Sequence, residues 1–358
     1  MQQKAKLAVV GFGLVGRQHV GVIVDDPGLL LTAIVEPDPA ASAEIQSYGA
    51  AHFSSLPELL DQGQVDGIIL ATPTPLHIEQ AMQCVEARLP VLIEKPIANS
   101  VSDAAHLVVA AERAGVPVLV GHHRRYSGVV QAAKQAIEDG KIGDVCSATA
   151  TCWFYKPDQY FKDAPWRTRK GAGPISVNLV HDVDLLRHFC GEVVAVQATA
   201  RPSVRGYENE DLASALLSFA SGAVATVSVS DAIAAPWSWE LTSGENPVYP
   251  RTDQSCYQIG GSRGSLSVPD LRLWQHEPQP DWWAPIQAEQ LPMHNQNPIL
   301  VQARHFAEVI LGEASPMVSG WEGLRSLQVV EAIQRAVKTG ATVKLEPIGV
   351  SPDLSAIA

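Results

Sequence analysis

The chain has 358 residues, 46% hydrophobic and 18% charged, with a formal net charge of -12 at pH 7. A single core rarely grows past roughly 250 residues, so two domains are expected, and the composition excludes a disordered or fibrous chain. The acidic balance argues against nucleic acid and anionic lipid as partners, since both would be repelled, and leaves a small molecule.

Five cysteines, Cys84, Cys146, Cys152, Cys190 and Cys256, are scattered without a C-x-x-C pair. That pattern suits reduced thiols in a cytoplasm better than a disulfide framework or a zinc site. No stretch reaches the ~18 apolar residues of a membrane span. The N-terminal run LAVVGFGLVG lacks a signal-type cleavage site and carries a glycine pattern instead. A cytoplasmic protein without a membrane partner is expected.

The first element, in KLAVVGFGLVGRQHVGVIV, opens as an apolar strand, meets Gly11, Gly13 and Gly16, and continues with a helix-compatible pattern. This is G-x-G-x-x-G in a strand, turn, helix setting. Gly11 permits the tight turn, Gly13 lets a pyrophosphate approach the backbone, and Gly16 lets the helix pack on the strand. Phosphates would rest on the N–H groups at the positive end of that helix. Gly11, Phe12, Gly13, Leu14, Val15 and Gly16 are therefore candidate cofactor residues. A turn that merely joins strand to helix gives the same pattern, so the elements that follow carry the decision.

The second strand, LLLTAIVEPD, ends at Glu36, about twenty positions after Gly16, where an acid can bond the adenosine ribose hydroxyls and repel a 2′-phosphate. No arginine or lysine follows in EPDPAA. NAD is expected rather than NADP. VDGIILATP, PVLIEKP and PVLVGHH then read as strands, and PLHIEQAMQCVEAR and SDAAHLVVAAERAG as helices. Alternation of this kind implies βαβ units and a doubly wound parallel sheet whose ligands lie beyond the carboxyl ends of the strands.

Thr72, Pro73, Thr74 and His77 occupy one such end and are candidate cofactor neighbours, although a strand-to-helix turn uses Thr and Pro for local reasons too. Glu94, Lys95 and Pro96 occupy the next. Partial burial at a strand end would disfavour the Lys95 ammonium and bring it toward acid/base duty beside the nicotinamide. Pro96 makes the peptide before it a candidate for the cis isomer.

In this order GFGLVG, Glu36, ATPTPLH, EKP, GHHRRY, then WR followed by GAGP…HDVDLLRHF, resemble the Gfo/Idh/MocA family of NAD(P)-dependent oxidoreductases. SGWEGLRSLQVVEAIQRAVKTGATVKL resembles that family's closing helix and strand. The resemblance spans nearly the whole chain. It implies an α/β protein, with a Rossmann domain at 1–122 and an α+β substrate and oligomerisation domain at 123–345 built on an open, largely antiparallel sheet. The closing helix, 321–340, is expected to pack back toward the first domain, and 346–358 reads as a tail. SALLSFASGAVATVSVSDA agrees independently, as two strands around a Ser-Gly turn. A second subunit covers the open sheet face in the family, so a homodimer or homotetramer is expected.

The resemblance also implies that Lys95 works with His181, whose imidazole can relay a proton near neutral pH. The family form G-G-G-x-x-x-D-x-x-x-H-x-x-D, aligned on His181, finds Gly171, Gly173 and Asp184 in place but Val177 where the family has an aspartate. Asn178, three residues before His181, lies on roughly the same helix side and is a candidate for the substrate-orienting bond, or a buried amide serving the backbone. Asp182 points elsewhere, and Asp184 either fixes the His181 tautomer or bonds a neighbouring loop. His188 lies two turns on, too far along the helix from His181 for a shared metal, so no metal is expected.

Trp166 and Arg167 border the nicotinamide in the family. Arg169 and Lys170 are extra cations that would suit a substrate carboxylate, or simple solvated charges. His123, where the family often has asparagine, is a further candidate pocket residue. The expected reaction is NAD-dependent hydride transfer at a hydroxyl-bearing carbon of a sugar, cyclitol or related, possibly acidic, polyhydroxylated molecule. The alternatives are an NAD-dependent glycosidase of the same family and a non-catalytic dinucleotide-binding regulator.

Overall fold

The computed structural model describes residues 4–293, 296–346 and 348. They fall into two compact units: residues up to Tyr126 with Asn297–Leu327, and Ser127–Gln296 with Gln328–Ile348.

The first unit holds β1 (Lys6–Val10), β2 (Leu30–Val35), β3 (Ala51–Phe53), β4 (Gly67–Leu70), β5 (Val91–Ile93) and β6 (Val118–Val120). They form a parallel sheet in the order β3-β2-β1-β4-β5-β6. Strands covered on both faces need continuous apolar runs, and Leu7–Val10, Ile68–Leu70 and Val91–Ile93 are all buried. The order reverses beside β1, where Val10 pairs with Val35 on one side and Leu70 on the other. The loops after β1, β2 and β4 thus emerge together at the switch point, where open α/β sheets bind ligands.

Residues 297–327 belong to this first unit, whereas the family resemblance implies a second domain at 123–345. Phe306 and Ala303 of the helix Pro298–Ile310 join the cluster of Leu7, Ile34, Ile69 and Leu92. A Cβ on Gly67 would come within 2.3 Å of Ile310, so the strand keeps a glycine where the helix crosses it. Arg304 Nε donates to Asp26 Oδ2 at 2.7 Å. The helical period of PILVQARHFAEVILG shows that a face is buried but not which sheet it covers. The first unit also runs four residues past the expected boundary, through the short 3-10 turn His123–Tyr126, whose Arg125 pairs with Glu322 at 2.9 Å.

The second unit holds β7 (Val145–Trp153), β8 (Val193–Pro202), β9 (Glu210–Phe219), β10 (Val224–Ser230), β11 (Tyr257–Gly261), β12 (Gly264–Val268), β13 (Arg272–Gln275), β14 (Gln287–Gln290) and β15 (Val343–Lys344). Their order is β14-β13-β12-β11-β7-β10-β9-β8-β15, antiparallel except between β7 and β10. β9 and β10 are the hairpin read from the sequence, turning at Ser221 and Gly222. Period-two alternation buries Ala148, Ala150 and Cys152 of β7 while Ser147 and Thr149 stay exposed. The buried side packs on Val129 and Val130, Leu185 and Leu186, and Val329 and Ile333 of three helices.

Candidate active site

In the first unit, Gly11 takes φ +92° and its N–H donates to Val35 O at 2.9 Å, closing the loop onto β2. A Cβ at Gly16 would fall 1.9 Å from the Gly11 carbonyl oxygen, so only glycine lets the helix Leu14–Asp25 start against the strand end. A Cβ at Gly13 would meet nothing within 4 Å. That open backbone at a helix N-terminus fits a pyrophosphate. Leu14 and Val15 are exposed beside it, while Phe12 is buried. Glu36 accepts from Phe12 N at 3.0 Å and Asp38 N at 3.1 Å, so it braces the glycine loop as well as standing at the ribose position. These residues fit the adenosine diphosphate half of a dinucleotide.

After β4, Thr72 Oγ1 donates to Gln80 Oε1 at 2.6 Å, and Pro73 and Thr74 line the turn. His77 is turned inward, its ring nitrogens 2.9 Å from the Pro96 carbonyl and 2.8 Å from that of Thr72. Burial holds this imidazole below its usual range. His77 therefore clamps the turn to the Lys95–Pro96 segment, whose connecting peptide is cis.

Lys95 follows the carboxyl end of β5, and its N–H donates to Glu94 Oε2 at 3.2 Å. Glu94 Oε1 lies 2.8 Å from His19 Nε2. Burial opposes the Glu94 charge, but the His19 bond and the charges of His19, His123 and Lys95 prevail and hold its pKa down to about 2. Burial in turn pushes His123 down to about 4, against the attraction of Glu94. The first unit thus gathers Lys95, Glu94, His123 and His19. Sequence reasoning did not single out His19, yet with Gly16, Val20 and Ile23 it shares the buried stripe of its helix, a period visible in the sequence.

In the second unit, Gly173 precedes the short helix Pro174–Val177, and a Cβ there would sit 2.2 Å from the Glu210 carboxylate. Glu210 reaches in to accept from Ile175 N at 3.1 Å. The helix Leu179–Cys190 follows with nearly every side chain buried, His181 among them. Asp182 accepts from the Tyr257 hydroxyl, away from His181, as the helical angle implies. Arg187 is forked onto Glu192, with Nη2 to Oε1 at 2.7 Å. Val177 is half-buried and places no acceptor at the family's aspartate position. Asn178, one residue on, is buried and accepts from Lys156 Nζ at 2.7 Å through Oδ1, while the His181 N–H donates to its main-chain carbonyl at 3.1 Å.

Arg167 lies over the Tyr160 ring at 3.9 Å and donates to the Tyr160 carbonyl at 2.7 Å. Trp166 beside it is 58% exposed. Arg169 is spent elsewhere: it is exposed and paired with Glu208 at 2.6 Å, and the Lys170 N–H approaches the same carboxylate. The geometry does not support the expectation that Arg169 receives a substrate carboxylate. Among the described residues no cluster of His, Cys, Asp and Glu could hold a metal ion.

A parallel nucleotide-binding sheet joined to an open mixed sheet, with a strand-end lysine in one and a helix-borne histidine in the other, defines a two-domain dinucleotide oxidoreductase. Residues 5–122 match an oxidoreductase family with an NAD-binding Rossmann fold, and residues 130–267 match the GFO/IDH/MocA C-terminal domain. The chain belongs to the Gfo/Idh/MocA family of oxidoreductases. It is 26% identical to D-apiose dehydrogenase of Paraburkholderia graminis, over 97% of this chain and 91% of that protein. It is 24% identical to scyllo-inositol 2-dehydrogenase (NAD(+)) of Bacillus subtilis, over 97% and 98%. The WlbA dehydrogenase of Bordetella pertussis, solved with NADH and UDP-GlcNAcA, superposes with a TM-score of 0.77 at 27% identity, covering 96% of this chain and 100% of that one.

Proposed function

We propose that the protein is an NAD-dependent dehydrogenase acting on a hydroxyl-bearing carbon of a sugar, cyclitol or related polyhydroxylated molecule. The observation that carries this reading is Lys95, held at a strand end by the buried Glu94–His19 pair within a complete dinucleotide-binding unit. When bound, the nicotinamide supplies a hydride acceptor. Lys95 is assigned to the substrate hydroxyl and His181 to its proton, the roles the family resemblance gives them. Asn178, its carbonyl oxygen committed to Lys156, offers its amide N–H groups to a substrate oxygen in place of the absent aspartate.

NAD is favoured over NADP because Glu36 ends β2 and no basic residue follows it, while the nearby Arg17 is paired with Glu44. Relatives named for dehydrogenase activity on apiose and inositol support net oxidation over glycoside cleavage or silent binding. No helix among the described residues is long and apolar enough to cross a membrane. A cytoplasmic location agrees with the five free cysteines. A homo-oligomer is supported by the exposed face of β7, β9 and β10, where Thr149, Ser214, Leu216 and Thr226 border an uncharged depression of about 700 Å³.

Lys95→Ala is expected to lower kcat by at least about 10²-fold while NAD binding, followed by calorimetry, persists. Full turnover by this variant would remove Lys95 from the reaction.

A further inference from the structure

Lys156 follows β7 and is 6% exposed, yet its ammonium, with three donors, has one hydrogen-bond acceptor among the described residues, Asn178 Oδ1. Its Nζ lies 4.9 Å from the centroid of the Tyr160 ring. Arg167 lies 3.9 Å from the same centroid. Among the described residues its guanidinium donates only to a carbonyl oxygen, and its buried Nε has no hydrogen-bond partner. The adjacent carboxylate, Asp231, is engaged by Arg205 at 3.0 Å, and Arg205 also donates to the Lys156 carbonyl. Two cations therefore share one aromatic platform, neither in a salt bridge among the described residues although the charges of Asp231 and Glu240 reach Lys156, and one is bonded to the residue that precedes the histidine helix. Burying an ammonium with donors to spare is costly unless an anion completes the site. Burial pushes the Lys156 ammonium down from its usual range, against the attraction of Asp231 and Glu240.

We propose that Lys156 and Arg167 bind a carboxylate of the substrate, so that the molecule oxidised is a sugar acid or other polyhydroxy acid rather than a neutral sugar. This rests on the dehydrogenase reading above and narrows its substrate class. The carboxylate is unchanged by the reaction. It anchors one end of the substrate, and Asn178, bonded to the same lysine, stands beside that anchor. Lys156 and Arg167 are specificity-determining residues, and the acid recognised is held by charge-assisted bonds that a neutral hydroxyl cannot match.

Two measurements test this. In the first, wild-type melting temperature is compared in sodium malonate or sodium D-gluconate and in sodium chloride of equal ionic strength, alongside Lys156→Gln and Lys156→Arg. Either carboxylate should raise the wild-type Tm by about 2–4 °C over chloride. The shift should vanish in Lys156→Gln and largely return in Lys156→Arg. No carboxylate-specific shift in the wild type, or an equal shift in Lys156→Gln, overturns the site.

In the second, nicotinamide reduction is followed with polyols and aldoses paired with the aldonates and uronates of the same skeletons. The acids should exceed their neutral partners by about 10–100-fold in kcat/KM, chiefly through KM. Neutral compounds turned over equally well overturn the substrate class and leave the dehydrogenase reading standing. That reading fails separately, if Lys95→Ala retains full turnover.

Discussion

Glu94 keeps its charge inside the first unit because His19 takes one oxygen and the Lys95 N–H the other. This network makes stability pH-dependent, and both of its shifted groups act in the same direction. His123 has a folded pKa near 4, below the ordinary 6.5, so the unfolded chain takes up that proton first and stability falls as pH drops from about 6.5 to 4. Glu94, held near 2 against an ordinary 4.5, contributes stability above 4.5 that is lost as pH falls toward 2. Unfolding measured by circular dichroism should show both losses, and His123→Asn should remove about 1–2 kcal/mol of the first. An unchanged pH profile in that variant would mean that His123 is not held neutral by the fold.

At this scale the sequence was informative where a residue's role is local. Gly11 and Gly16 take in the structure the tight turn and the close helix packing that their spacing implies. Lys156 was passed over because WFYKPDQYFKDAPWRTRK presents several cations in one polar stretch. Which of them is buried depends on the fold of the second unit, and the two nearest the glycines, Arg169 and Lys170, proved to be those beside Glu208.

Among the elements, the glycine loop and its helix have separable requirements. Gly16→Ala must displace the Gly11 carbonyl, at a cost of about 2–3 kcal/mol, and should lower both urea-unfolding stability and NAD affinity. Gly13→Ala adds a methyl group to open space, so it should leave stability within about 0.5 kcal/mol while raising the Kd for NAD at least tenfold. If Gly13→Ala binds NAD as the wild type does, the pyrophosphate does not use that opening. Both elements were legible because strand, turn and helix are adjacent in the chain. The helix Leu179–Cys190 was legible only in part. The stretch reads as apolar and helical, but Asp182 and Arg187 are buried with partners, Tyr257 and Glu192, and the former partner lies far along the chain.

For the whole molecule, the depression on the second sheet has an uncharged lining in a chain of net charge -12. If a second copy covers it, Leu216→Glu or Thr226→Arg should convert the assembly measured by light scattering to monomer without loss of helical signal. Persistence of the wild-type mass in both would place the interface elsewhere. The two-domain plan was legible in the sequence, but the assignment of residues 297–327 was not, since an amphipathic helix does not reveal which distant sheet it will cover.

Synthesis at the ribosome proceeds from the N-terminus, yet the first unit includes Asn297–Leu327, with Phe306 in its apolar cluster and Gly323 against Val120. The nucleotide-binding sheet can therefore form early but cannot complete its core until nearly the whole chain has been made. A fragment ending at Tyr126 would leave the surface around Gly67 uncovered, and limited proteolysis should find it much less protected than the same residues in the full chain.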